Sequence, residues 1–208
     1  MAPIIAPSML DKFAIRELLE NWAVWRDAGD WERFRTVWHD DGFMMATWFQ
    51  GSADEFIGIS RAGFERGVNI LHFLGGCSID LAGNRAVAQT KMTISQRAPV
   101  HDVVVDVLCT GRFYDFLENR NGKWGLVLRR VCYEKDHMDP VDPSQTVQLD
   151  PKILEQFPAG YRHLAYLQSG LGFKVKLDLP GLAGPANDKL YAFGKAWLAG
   201  ESIDDARK

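Results

Sequence analysis

The order of two hydrophobic periods along the chain is the feature that most restricts its fold. Apolar residues recur at helical spacing over residues 10–26, and again over the shorter stretch 31–38, which Asp30 can cap. From about residue 71 to residue 133 the pattern changes to β-rich runs separated by polar turns, as in antiparallel hairpins. Helices that precede such a sheet indicate an α+β fold. We expect a cone-shaped α+β barrel, with N-terminal helices packed on a strongly curved mixed or antiparallel sheet around a cavity.

The middle of the chain has less regular boundaries. Residues 43–49 predict a strand and residues 51–58 a loop, and residues 59–70 predict a third helix that glycines interrupt. The clearer strands are expected over residues 71–81, 85–97, 103–116 and 124–133.

The last third of the chain differs from the part before it. Pro140–Pro143 predicts a stiff linker, and helices are expected over residues 154–168 and 190–198. Because this part has little apolar mass of its own, we divide the chain into a cone domain, residues 1–139, and a C-terminal extension, residues 140–208. We expect the extension to wrap the domain or a neighbouring subunit.

Charge and cysteine content argue against several classes of partner. The formal net charge of −3 gives no electrostatic reason for the chain to bind nucleic acid or an anionic membrane. The three cysteines are scattered without a CxxC pair, which favours a reducing compartment. Residues 1–8 lack the segments of a signal peptide, and no apolar run reaches the roughly 18 residues of a spanning helix. We expect a cytoplasmic protein with no nucleic-acid or membrane partner.

Motifs that hold cofactors are missing from the sequence. It contains no phosphate-cradling glycine loop, no dinucleotide fingerprint and no G-x-S-x-G elbow. The five histidines are dispersed, and the nearest cluster of ligand residues, Asp136–Asp139, is expected in a solvent-facing loop. The sequence therefore predicts neither a cofactor nor a metal site, and proton transfer by side chains is the chemistry that remains.

Asp27 and His72 are the candidates for that chemistry. Asp27 lies in the last turn of the first helix, where the helix dipole disfavours an acid unless something compensates it. His72 opens an apolar strand, and a helix lying across the sheet can bring the two together. A carboxylate bound to one imidazole nitrogen leaves the other basic. The alternative is a core histidine bound to a backbone carbonyl, with Asp27 capping a turn, and spacing alone favours it.

Two stretches resemble a known family. The segment Ile15–Phe34, which contains Trp25-x-Asp27-x-x-Asp30-Trp31, and the following Trp38–Gly42 resemble the opening of the SnoaL-like branch of the nuclear-transport-factor-2-like superfamily. His72–Gly75 with Ser78–Ala86 is similar to the histidine-bearing strand of that family and its next turn. The resemblance covers about residues 10–136. The spacing is also similar to that of hexachlorocyclohexane dehydrochlorinase and scytalone dehydratase.

The resemblance implies roles for individual residues. In those lyases a histidine base works with an aspartate and no metal or cofactor, which implies His72 and Asp27 here. Arg129 falls on the arginine that helps the leaving group to depart. One scaffold hosts unrelated activities, so the family alone does not determine the reaction.

The composition favours an aromatic pocket. Seven Trp and twelve Phe are many for 208 residues, and aromatic walls imply a small hydrophobic substrate. Core packing explains several of these rings equally well. The residues expected to line the pocket are Trp22, Trp25, Trp48, Phe73, Thr93, Ser95 and Tyr133. Arg130 is expected on the opposite sheet face, as a solvated charge.

These observations lead to one function and its rivals. We expect a cofactor-independent lyase or isomerase that acts on a small hydrophobic, cyclic molecule through the catalytic residues Asp27, His72 and Arg129. The rivals are a non-catalytic binding module, which would use the same cone to hold a ligand, and the small subunit of an oxygenase.

The chain is expected to form a homo-oligomer, either a dimer or a trimer. The long last strands offer an open sheet face, and the C-terminal extension has too little apolar area to fold alone. Light scattering at micromolar concentration should therefore give a mass of two or three chains. A monomeric mass would contradict this expectation.

Overall fold

A computed structural model of the chain describes residues 7–208, with side chains from Ser8 onward. The predicted lack of a signal peptide rests on residues 1–8, and so lies almost wholly outside the described residues. The described helices are α1 (Pro7–Ala28), α2 (Trp31–Arg35), α3 (Ala53–Glu65), α4 (Pro151–Leu154), α5 (Arg162–Gly170) and α6 (Pro185–Leu198), with a terminal 3-10 helix (Asp204–Arg207). The strands are β1 (Trp38–Met45), β2 (Gln50–Ser52), β3 (Asn69–Ala82), β4 (Arg85–Val100), β5 (Val103–Arg120) and β6 (Lys123–Pro140).

The six strands form one mixed, curved sheet. Their order is β2-β1-β6-β5-β4-β3, in which only β1 and β6 run parallel. The register shifts between Leu74 and Cys77 on β3, and again near Gly111 on β5. Such bulges bend strands and increase the local twist. The prediction of an α+β cone is confirmed, with a sheet that is curved but not closed.

Helix α1 lies across the concave face of the sheet. Ile15, Leu19 and Trp22 recur at helical spacing and are fully buried, and α1 contacts both β3 and β6. Gly29 ends the helix in the left-handed region, with φ of 72°, which glycine adopts without steric cost. The Asp30 carboxylate then accepts a hydrogen bond from Arg33 N–H and caps α2. These contacts place the last turn of α1 above the start of β3.

Several predicted boundaries were wrong. Helix α3 begins six residues before the predicted helix, because Ser52 and Glu55 form a capping box inside the stretch that was expected to be a loop. The single helix predicted over residues 154–168 is two shorter helices, α4 and α5. The expected solvent-facing loop at Asp136–Asp139 belongs to β6, where Asp136 pairs with Cys109 and its side chain is 1% exposed.

The C-terminal extension covers both faces of the sheet. Helix α5 packs on the concave side, where Leu164 joins the main core. Helix α6 packs on the outer face through Leu190 and Trp197. Arg130 does lie on that outer face, but the expectation of a solvated charge was wrong. The extension buries it, and its Nη1 donates to Ala206 O at 2.9 Å.

No helix among residues 7–208 combines the length and the apolar character that a membrane crossing requires.

Two mid-helix glycines provide a test of how α6 docks. A Cβ at Gly194 would overlap the phenol of Tyr114, which is buried under α6, whereas a Cβ at Gly58 in α3 would meet open space. Gly194→Ala should therefore lower the free energy of unfolding by about 1–3 kcal/mol. Gly58→Ala, the matched control, should raise it by about 0.5–1 kcal/mol through helix propensity alone. Urea denaturation measures both. Equal stabilisation by the two variants would show that α6 does not pack closely on the outer face.

Candidate active site

The carboxylate of Asp27 binds His72 in two places. Its Oδ1 lies 2.8 Å from the ring Nδ1 of His72, and its Oδ2 accepts the backbone N–H of the same residue. Arg26 Nη1 donates to Asp27 Oδ1 and to Ile70 O, each at 3.1 Å. The side chains of His72 and Asp27 are 7% and 13% exposed. The structure thus brings together the two residues that the sequence singled out, at the junction of α1 and β3.

Burial, more than the surrounding charges, favours the neutral form of His72. Burial alone would raise the pKa of the Asp27 carboxyl, but hydrogen bonds and charge from His72 and Arg26 outweigh burial and hold that pKa below its usual value. An ionised carboxylate can only accept hydrogen bonds, so Nδ1 of His72 carries the proton and Nε2 keeps its lone pair. Burial lowers the pKa of His72 below its ordinary 6.5, and the charges of Arg26 and Arg129 add to this effect while Asp27 opposes it.

Aromatic rings enclose the imidazole. Trp22 meets it edge to face, with ring centroids 5.1 Å apart, and Phe113 lies 6.1 Å away. His72 makes no hydrogen bond through Nε2 within the described part of the chain. Because Asp27 occupies Nδ1, Nε2 is the nitrogen left to receive a proton.

His72 lines a small, partly open cavity, which we call the inner chamber. Its volume is about 30 Å³, and its walls include Trp22, Trp48, Phe113 and Tyr133. That volume has room for a water molecule or two, so only a small reacting portion of a substrate fits beside His72 unless side chains move.

A second cavity, the outer chamber, adjoins the first. Its volume is about 90 Å³, and it is lined by residues that include Ile59, Ser60 and Phe64 of α3 and Phe173 of the extension. The two chambers share Arg26, Trp48, Ile70, Gln96 and Gln168 as lining residues.

The C-terminal extension completes the wall between the chambers. Gln168 of α5 accepts a hydrogen bond from Thr47 Oγ1 at 2.6 Å and donates to Gln96 Oε1 at 3.2 Å. All three side chains are buried. The extension is therefore part of the site, a role that its polar, loop-rich sequence did not predict.

The structure brings only some of the predicted pocket residues to the chambers. Trp22, Trp48 and Tyr133 line the inner chamber, as expected. The residues that line neither chamber are Trp25, Phe73, Thr93 and Ser95.

Strand alternation explains why three of these predictions were wrong. His72 pairs with Ile94, whereas Phe73 pairs with Thr93, and successive side chains point to opposite faces. Phe73 is 75% exposed, and Ser95 lies two residues from Thr93 on the same outer face. Trp25 is half-buried and packs against the main core without reaching either chamber.

Arg129 does not reach the chambers either. Its guanidinium forms two hydrogen bonds with Asp115, at 2.7 and 2.8 Å, and both side chains are 0% exposed. The Arg129 Cζ also lies 4.2 Å from the ring centroid of Trp22 and 3.9 Å from that of Phe113. The predicted contact with a leaving group does not match this placement. Arg129 lies behind the aromatic rings and acts on His72 through its charge.

Sequence reasoning also missed Arg26. It is buried, lines both chambers and binds Asp27 directly. A basic residue in the last turn of a helix complements the helix dipole, so the sequence offers an ordinary reason for Arg26 that hides a role in a site.

The chain contains a second histidine–aspartate pair with the same geometry. Asp136 Oδ1 lies 2.9 Å from His163 Nδ1, and its Oδ2 accepts the backbone N–H of His163 at 2.7 Å. Asp136 also accepts Leu164 N–H and so holds the first turn of α5. The pair lines neither chamber, and the His163 side chain is 25% exposed.

Across residues 7–208, no group of three or more His, Cys, Asp or Glu side chains is placed to hold a metal ion.

Solved structures share the fold at low identity. A putative scytalone dehydratase from Novosphingobium aromaticivorans superposes with a TM-score of 0.54 and 14% identity, over 68% of this chain and 97% of that one. A type 2 hexachlorocyclohexane dehydrochlorinase superposes with a TM-score of 0.56 and 11% identity, over 69% and 95%. At such identity the likeness supports the fold and not the activity.

Sequence comparisons give a closer relationship. The pea pathogenicity protein 2 of Fusarium vanettenii is 40% identical over 206 residues, which cover 94% of this chain and 88% of that protein. An uncharacterized protein of Emericella nidulans is 35% identical over 212 residues, covering 94% and 89%. The model of the SnoaL-like domain family matches residues 7–130. With more than half of its length inside that model, the chain belongs to the SnoaL-like domain family.

Proposed function

We propose that this protein is a lyase or isomerase that moves a proton on a small apolar molecule, with His72 as the base. The observation that carries the proposal is the binding of His72 Nδ1 by Asp27, which leaves Nε2 without a partner among residues 7–208, on a residue that lines the aromatic inner chamber. A base of this kind works best when it is neutral at the working pH and oriented by a partner. Both conditions hold for His72.

In the proposed reaction, His72 Nε2 takes a proton from carbon. The electron pair of the broken C–H bond forms a carbon–carbon double bond as a leaving group departs, or it delocalises onto a carbonyl oxygen as an enolate. Asp27 stabilises the imidazolium that forms, because its carboxylate already accepts from Nδ1. The imidazolium then returns its proton to the leaving group, to another carbon of the substrate or to water. These steps need no redox change.

The sizes of the two chambers support a substrate whose reacting group and apolar body occupy different chambers. About 30 Å³ beside His72 admits a reacting C–H group, whereas the adjoining chamber of about 90 Å³ takes part of an apolar body. The family and its solved neighbours, which include a putative dehydratase and a dehydrochlorinase, agree with lyase-type chemistry on this fold.

A non-catalytic binding protein is the second candidate. The small volume of the inner chamber favours it, since a ligand held only in the outer chamber would never touch His72. The two candidates differ in what happens to a carbon-bound proton, which an exchange experiment detects directly.

Substitution of the His72–Asp27 pair should stop proton transfer. His72→Ala removes the base, and its activity should fall to background. Asp27→Asn removes the orienting charge and should lower the rate by about two to four orders of magnitude. The measurement uses chelator-treated protein in D₂O and follows the loss of C–H signals by proton NMR. The test compounds are a panel of small cyclic ketones and of ring compounds with hydroxyl or halogen leaving groups.

The second pair provides a matched control. His163→Ala removes the imidazole of that pair outside the chambers and leaves Asp136 bound to the first turn of α5, so it should leave exchange within about threefold of the parent protein. Thermal melting of all three variants separates lost activity from lost folding. Exchange that survives in His72→Ala, or that is lost equally in His163→Ala, would contradict the proposal.

The proposed base also predicts a pH profile. Because burial holds the pKa of His72 below 6.5, kcat/KM should be at its plateau at neutral pH and should fall on an acid limb whose midpoint lies below 6.5. The free energy of unfolding should also decrease toward acid pH. The unfolded histidine gains a proton near its ordinary pKa while the folded one does not, so stability is lost as the pH falls below 6.5. A kinetic midpoint above pH 7 would exclude His72 as the neutral base.

A further inference from the structure

The outer chamber contains hydrogen-bonding groups that the protein does not satisfy. Arg26 Nε and Ser60 Oγ are both buried, and neither has a partner within residues 7–208. Both residues line the outer chamber, and their exposed fractions are only 6% and 5%. Buried polar groups in folded proteins nearly always have a partner. Of the eight buried side-chain atoms without one within residues 7–208, these are the two whose residues line the outer chamber, and their coincidence there points to a ligand.

The charge of the outer chamber indicates the kind of ligand. Two arginines, Arg26 and Arg66, line it, and no acidic residue does. Asp27 offsets part of the charge of Arg26, but its carboxylate is turned toward His72 and lines neither chamber. A guanidinium and a hydroxyl that both have donors to spare are suited to an anionic oxygen.

The remaining wall of the outer chamber is apolar. Phe64 and Val68 line it from α3 and the turn after it, and Leu171 and Phe173 line it from the extension. A ligand that is charged throughout would leave these side chains against a polar surface. The chamber therefore suits a molecule with an apolar body and one charged end.

Arg26 also has a structural role, which leaves Nε unused. Its Nη1 joins the end of α1 to β3 by donating to Asp27 and to Ile70 O. Arg130 has a similar arrangement on the other face of the sheet, with Nη1 on a backbone carbonyl and Nε without a partner in the described chain. The two arginines differ in one respect: Arg26 lines the outer chamber, whereas Arg130 lines neither chamber and contacts the extension at Ala206.

We propose that the outer chamber binds an apolar molecule through an anionic oxygen, to which Arg26 and Ser60 donate. The site takes a carboxylate or an enolate on a small hydrocarbon body. This inference rests on the proposed function, and it specifies the substrate class of that reaction. Because Arg26 lines both chambers, the bound oxygen lies beside the carbon that His72 deprotonates. Arg26 thus takes the charge-stabilising role for which Arg129 is not accessible.

Binding of simple acids and of their neutral counterparts tests the site. Isothermal titration calorimetry at neutral pH would compare phenylacetate with 2-phenylethanol, and hexanoate with 1-hexanol. At least one acid should bind about tenfold more tightly than its alcohol, and Arg26→Gln should remove that preference. Ser60→Ala should weaken binding of the acid about threefold, and Arg26→Lys should retain part of the preference. Arg130→Gln is the matched control and should leave both affinities unchanged.

The outcomes are separable from those of the proposed reaction. The site is wrong if neither acid binds, if acid and alcohol bind equally, or if Arg26→Gln and Arg130→Gln behave alike. Melting curves identify a misfolded Arg26→Gln variant, and then Ser60→Ala and Arg26→Lys decide the question. His72→Ala should still bind the acids. If His72→Ala binds the acids and also retains proton exchange, the proposed reaction is contradicted and the proposed binding site is not.

Discussion

One carboxylate, that of Asp27, connects the fold to the site. It lies in the last turn of α1, where the helix dipole opposes a negative charge, and two donors of His72 and one of Arg26 compensate it. The same contacts hold the end of α1 against the start of β3. They therefore set the tilt of α1 across the sheet, and with it the positions of Trp22 and Arg26 in the chambers. Loss of this carboxylate would disturb the packing of the helix as well as the orientation of the base.

The sequence predicted the fold well and the lining of the site only in part. Alternation located the strands, but it could not say which face is concave, because the extension also buries the outer face. Val87 and Tyr114, on that face, are as buried as the residues of the main core. On β4 the alternation puts Thr93 with Gln89 and Lys91 on a polar face, so the placement of Thr93 in the pocket followed from the family resemblance and not from the alternation. Contacts such as Thr47 with Gln168 join positions 121 residues apart, and no local pattern encodes them.

Arg129 and Arg26 show why residue type and sequence position are not enough to assign a role to a side chain. Arg129 matches the position that the family resemblance implies, but Asp115 lies directly opposite it on β5 and accepts hydrogen bonds from its Nε and Nη2. A cross-strand partner follows from register, which a single sequence does not reveal. A buried bidentate pair is costly to break, because the remaining charge has no solvent. Arg26 donates to Asp27 through Nη1 alone and, unlike Arg129, lines both chambers, so its other donors belong to a side chain that a ligand could contact.

Comparison of the two histidine–aspartate pairs shows that the same hydrogen-bond geometry occurs inside and outside the candidate site. Asp27–His72 and Asp136–His163 have the same bonds to ring and backbone, and the second pair also holds the first turn of a helix. Hydrogen-bond geometry therefore cannot by itself identify a catalytic base. What distinguishes His72 is its enclosure beside Trp22 at the edge of a cavity, because burial disfavours the charged imidazolium and lowers the pKa of the ring. The functional assignment rests on that enclosure, and the wall contributed by α5 makes the C-terminal extension as necessary to it as the cone domain itself.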